Sequence, residues 1–169
     1  MGFDPALLKK LTETFKVELE EQLEVITNGI RRLEKTSTDE EEQSTCIEAI
    51  FRAAHNIKGA ARSLAINDVA DIAHLIESLF SSLQKKELFL SSAMIDLGFE
   101  AVDKMRLAMQ FFLKKQPLSF NLADVLARLE QETRAVSDST LTKNDTKSVP
   151  KNKDKKRYAG QWDRKETRQ

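Results

Sequence analysis

The 169-residue chain has a single cysteine, Cys46, so no disulfide can close within it; a bridge-stapled scaffold is excluded and a reducing compartment is implied. Glycine and proline are scarce, five and three residues, which argues against a sandwich of short strands joined by many turns. No apolar run approaches the roughly 18 residues that would cross a bilayer. The opening "MGFDPALLKK" also lacks the basic stretch followed by an apolar one that marks a secretory signal. The expected location is the cytoplasm, away from membranes. Net charge is absent too, but its zero hides an asymmetry. From Lys143 onward ten Lys/Arg face four Asp/Glu, so the last part of the chain carries +6 and residues 1–142 carry −6. An acidic body of this kind is not a nucleic-acid binder.

What the sequence does hold is helical periodicity. Asp4 suits a helix cap and Pro5 a first helical position. Leu8, Leu11, Phe15, Leu19, Leu23, Ile26, Ile30 and Leu33 then recur every three or four residues, the stripe of one long amphipathic helix. "TSTDEEEQ" breaks it, with Thr38 as the expected cap of a second helix and Asp39, Glu40 and Glu41 suited to its positive end. That helix carries Ile47, Ile50, Ala54, Ile57, Ala61 and Leu64 on one side. "AIND" makes a turn, Asn67 or Asp68 caps a third helix, and Val69, Ile72, Ile76, Leu79 and Leu83 form its stripe. A fourth helix is expected from about Ser92 to Lys115, burying Ile95, Phe99, Val102, Leu107, Phe111 and Phe112 before Pro117 ends it. A fifth, from about Asn121 to Ala135, offers Leu122, Val125, Leu126 and Leu129.

Short connections make neighbouring helices antiparallel. The expected fold is all-α, an antiparallel up-and-down four-helix bundle with a fifth helix, over residues 1–135. Residues 136–169 are polar, basic and aperiodic, the composition of a disordered tail or interdomain linker. Tyr158 and Trp162 are its only large aromatics.

One stretch stands apart, "FRAAHNIKGAARSL", residues 51–64. His55 lies on the shoulder of the second helix, roughly 120° from the centre of its apolar stripe. Lys58 and Gly59 are its i+3 and i+4 neighbours, and Arg62 follows one turn later. A glycine inside a helix costs about 1 kcal/mol relative to alanine, and close approach of another body is the natural compensation. A solvent-reachable imidazole can attack phosphorus as a nucleophile. Lys58 and Arg62 would put cationic donors near the phosphoryl oxygens, and Gly59 leaves room for the group and its deliverer. The ring also needs an acceptor for its second nitrogen. His74 and Glu77, an i,i+3 pair on the third helix, are the candidates, Glu77 accepting from Nδ1 so that Nε2 faces outward with its lone pair. A metal site built on His55, His74 and Cys46 has no compact ligand spacing to support it, and scattered carboxylates give no hydrolytic pair.

With those residues in view, "AHNIKGAARSLA" resembles the histidine phosphotransfer signature H-x-[IL]-K-G. The longer string is similar to the N-terminal phosphotransfer domains of CheA-type chemotaxis kinases and their hybrid relatives. In that family a later helix carries a His-x-x-Glu pair, and here His74 and Glu77 follow His55 by 19 and 22 residues. The resemblance covers about residues 4 to 130. It implies a phosphorelay carrier that accepts a phosphoryl group on His55 from the ATP domain of a histidine kinase and passes it to an aspartate of a response-regulator receiver. It implies that Lys58, Gly59, Ala60 and Arg62 form the surface beside the ring, and that Glu77 with His74 orients it. Many members have glycine where this chain has Ala60 and Ala65. Ala60 keeps the small size, whereas Ala65 adopts a left-handed cap less cheaply.

No glycine-rich nucleotide segment and no βα alternation occurs, so this is a module and not a complete enzyme; Mg2+ and ATP belong to its partners, and it holds no cofactor or metal of its own. A free-standing carrier and the N-terminal piece of a larger kinase both fit, the linker-like end favouring the piece. A helical scaffold in which His55 does no chemistry is the competing reading.

Overall fold

The computed structural model of the chain describes residues 4–35, 39–128 and 130–131. Its four long helices are α1 (Pro5–Lys35), α2 (Glu40–Ser63), α3 (Asn67–Gln84) and α4 (Ser92–Lys114), and no strand occurs among the described residues. Each helix packs on the next and α4 closes back on α1, while no contact joins α1 to α3 or α2 to α4. That is the ring of an antiparallel four-helix bundle. A fifth helix, described over 122–128 and 130–131, lies along α4. Asn121 Oδ1 accepts from Ala123 N at its start, Val125 is buried, and Arg128 reaches Glu100 on α4 at 2.8 Å. Lys104 completes the attachment, its ammonium 4.7 Å from the Phe120 ring centre.

The core follows the stripes. Phe15, Leu19, Leu23, Ile26, Ile30 and Leu33 of α1 are buried, as are Ile50, Ala54, Ile57 and Ala61 of α2 and Val69, Ile72, Ile76, Leu79 and Leu83 of α3. Each large aliphatic side chain so buried is worth about 1.5–3 kcal/mol of transfer free energy, which is what holds helices together that share few polar contacts. Cys46 is free and enclosed between α1 and α2. Two glycines let the helices meet closely. A Cβ on Gly29 would stand 2.7 Å from Ile50 Cγ1, and one on Gly98 would stand 2.6 Å from Ile30 Cδ1.

Several expectations change. The α1 stripe is not buried along its whole length: Leu8 and Leu11 are exposed, because among the described residues no helix faces the first two turns, and Thr12 and Phe15 begin the covered part. The cap of α2 is Asp39, not Thr38, which lies outside the described residues; the Asp39 carboxylate accepts from Glu41 N and Glu42 N. Glu40, Glu41 and Glu42 occupy the first turn, as the helix dipole favours. Neither Asn67 nor Asp68 caps α3, whose N-cap is Ile66 with no side-chain bond. Here the α2–α3 connection is only residues 64–66, and Ile66 is needed in the core. On α4, Phe99, Leu107 and Phe111 are half-buried and Phe112 is exposed, while Met94, Leu97, Ala101, Met105, Ala108 and Met109 join Ile95 and Val102 inside. Small and flexible side chains take this face because Gly98 brings α4 so near Ile30. Leu122 and Leu126 pack partly buried against the core, whereas Leu129, the boundary near 135, Tyr158, Trp162 and the rest of the tail lie outside the described residues.

Helix α2 ends in a left-handed residue, and that residue is Ala65, φ 56°. Ile66 N donates to Ala61 O and Ala65 N to Arg62 O, the paired closing bonds of a Schellman cap. Lys86 and Lys115 close α3 and α4 in the same way, at φ 58° and 52°.

Candidate functional site

The exposed flank of the α2–α3 pair carries the site. Because α2 turns its Ala53/Ala54/Ile57/Ala61 face inward, His55 is left on the shoulder, with its side chain 60% exposed. On α3 the buried residues Ala73 and Ile76 put Glu77 at the seam facing α2, where its side chain is only 12% exposed. Nδ1 of His55 meets Glu77 Oε1 at 2.7 Å, and the Lys58 ammonium pairs with Oε2 of the same carboxylate. Glu77 is thus clamped from both oxygens by two residues of α2, one turn apart.

Electrostatics assign the proton. Burial alone would raise the Glu77 pKa, but hydrogen bonds and charge from Lys58 and His55 outweigh it and hold the carboxyl below its ordinary value of 4.5. Near neutrality Glu77 is an anion with no proton to donate, so Nδ1–H must donate to it. In the neutral ring the lone pair is then on Nε2, on the exposed side. Phe51, one turn before His55, stacks on the imidazole with ring centres 6.3 Å apart and planes at 28°, limiting its rotation.

Beside the ring the surface is open. A Cβ on Gly59 would meet nothing within 4 Å, so unlike Gly29 and Gly98 this glycine serves no packing contact among the described residues. Ala60 lines a groove between α1 and α2 that Phe15, Glu18, Glu21 and Asn56 also border, opening on the flank of the same stretch. Arg62 is exposed and forms no ion pair among the described residues.

Two expected roles need revision. Lys58 does not stand free beside the outward nitrogen: its side chain, 18% exposed, is drawn down to Glu77. His74 is exposed and its ring makes no hydrogen bond among the described residues, so Glu77 alone contacts the imidazole nitrogen. Phe51 and the groove around Asn56 went unanticipated. The i,i+4 spacing of Phe51 and His55 was visible in the sequence; the groove depends on how α1 crosses α2. Among the described residues no cluster of three or more His, Cys, Asp or Glu could hold a metal, and no helix is long and apolar enough to cross a membrane.

A helical bundle presenting an exposed histidine whose inner nitrogen is held by a half-buried carboxylate, with bare backbone alongside, has the arrangement of a carrier of the phosphotransfer type. The Hpt domain family model matches residues 10–138, and the chain belongs to that family. It is similar to the chemotaxis protein CheA of Treponema pallidum, 25% identical over 121 residues, which is 72% of this chain and 14% of that protein. CheA of Bacillus subtilis is 26% identical over 123 residues, 73% of this chain and 18% of that one. The chain therefore spans less than a fifth of these relatives. Among solved structures, the phosphorylated P1 domain of CheA3 in complex with CheY6 from R. sphaeroides superposes with a TM-score of 0.65 at 17% identity, covering 76% of this chain and 98% of that one; the fold is shared.

Proposed function

We propose that His55 Nε2 carries the phosphoryl group, received from the ATP-binding domain of a histidine kinase and passed to a receiver aspartate. The bond between His55 Nδ1 and Glu77 Oε1 is the observation that supports this reading most directly. In the first step the Nε2 lone pair attacks the γ-phosphorus of a nucleotide held by the kinase; the N–P bond forms, the bridging P–O bond breaks and ADP leaves with that electron pair. The ring still bears the Nδ1 proton and becomes cationic, so an ionised Glu77 beside it lowers the energy of the product. In the second step a carboxylate oxygen of the receiver attacks phosphorus, the N–P electrons return to Nε2 and the neutral ring is restored. Arg62, exposed on the same helix, is the cation left to meet the arriving charge while Lys58 stays paired with Glu77, and Gly59 with Ala60 leaves the receiver space to dock. Nucleotide and Mg2+ chemistry belongs to the partner domains.

The test is incubation with a cognate kinase and labelled ATP. An acid-labile, alkali-stable label that is absent from His55→Gln is the expected result. No label with any kinase would instead favour a scaffold, and label that persists in His55→Gln would place the phosphoryl group on another residue.

A further inference from the structure

A second surface, unrelated to the histidine, sits where α3 passes into α4. Leu83, Leu88 and Leu90 with Ile47 of α2 floor a groove of about 590 Å3, within the size range of ordinary binding clefts, and Phe89 stands at its side. Phe89 is 71% exposed, the most exposed large hydrophobic residue among those described. The α2 rim is acidic: Glu40 and Glu41 line the groove and make no ion pair among the described residues, against Lys86 on the opposite side. The α2 residues involved precede His55 by eight positions or more, about 12 Å along the helix axis.

We propose that this groove is the docking site, within the same molecule, of the chain's own segment 151–162. That stretch reads "KNKDKKRYAGQW", five cations against one aspartate, followed by Tyr158 and Trp162. Its charge is complementary to the Glu40/Glu41 rim, and its two aromatics match the exposed Phe89 and the aliphatic floor. The geometry of departure fits as well. Gln131, the last described residue, borders a cleft with Ala93, Asp96 and Leu97, at the end of the bundle where α4 begins. The 27 residues from Gln131 to Tyr158 can reach up to about 90 Å when extended. Docking there leaves the His55 face open, so the contact is independent of the phosphotransfer reading.

Trp162 is the only tryptophan, which makes the full chain its own reporter. Tryptophan emission and acrylamide quenching are measured on the intact protein and on Phe89→Glu, an exposed position whose change is checked for unaltered helix content. For a tethered segment that is mostly docked, a blue-shifted emission and a quenching constant at least about threefold below that of Phe89→Glu are expected. Added salt should raise quenching in the unaltered chain. Lys155→Glu with Lys156→Glu should also raise it, and Glu40→Lys with Glu41→Lys added to that variant should restore protection. Equal quenching in the intact chain and Phe89→Glu overturns the proposal. So does protection that grows with protein concentration, which would place the segment on a second copy.

Discussion

Glu77 Oε1 sits 2.7 Å from His55 Nδ1 across the α2–α3 seam, while Lys58 engages the other oxygen. One half-buried carboxylate therefore fixes the imidazole tautomer and is itself kept ionised by the helix it serves.

Removing that carboxylate should slow phosphorylation without unfolding the bundle. Glu77→Ala is expected to lose about 10–100-fold in rate, by analogy with the loss when the carboxylate orienting a metal-bound histidine is deleted. Glu77→Gln should fall between, since an amide oxygen still accepts from Nδ1 but brings no charge. Initial rates with saturating kinase, alongside circular dichroism, decide it; an unchanged rate in the alanine variant takes Glu77 out of the mechanism.

The lowered pKa also sets a pH signature in stability. A carboxyl whose folded value lies below its ordinary 4.5 binds fewer protons folded than unfolded near that pH. Its stabilising contribution is complete above 4.5 and disappears as pH falls through the folded value. Urea unfolding should show the unaltered chain ahead of Glu77→Gln near neutrality, with the gap closing in acid. A gap that widened in acid would reverse the assignment.

Gly59 separates stability from recognition. With nothing within 4 Å of an added Cβ, Gly59→Ala should raise stability by about 1 kcal/mol through helix propensity alone. Gly59→Leu should also stay folded yet impair transfer to a receiver, because a bulky side chain occupies the clear surface. Equal transfer rates for glycine and leucine would mean that no partner approaches there.

Ala65 makes the opposite case, an alanine where glycine would serve better. Left-handed backbone costs an L-residue about 1–2 kcal/mol, so Ala65→Gly should raise the unfolding free energy by roughly 1 kcal/mol. Thermal or urea melts measure it. A loss of stability would show that the alanine methyl makes a contact worth more than the strain.

Much of this was legible in the sequence. The stripes of α1, α2 and α3 repeat every three or four residues, and most of the core is built from them, although Val17 and Val25 of α1 stand exposed off its stripe. Helix α4 misled because it is apolar on more than one side: Phe99, Leu107, Phe111 and Phe112 have the size to look like core, yet Ala101, Met105 and Ala108 face inward. Periodicity cannot choose between two faces when the choice is set by the close approach at Gly98. At the site, His55 and Glu77 could be paired from spacing and from the family resemblance. The clamp by Lys58 could not, since a long flexible amine can reach either outward to solvent or inward to a carboxylate, and only the depth of Glu77 decides.

Burial of the lone thiol has one more consequence. Cys46 is 2% exposed and its pKa is raised chiefly by burial, so the nucleophilic thiolate is both scarce and unreachable while α1 and α2 stay together. Alkylating reagents should then mark the chain only during transient separation of those helices. Nature has supplied a built-in clock for that breathing, with no label to engineer.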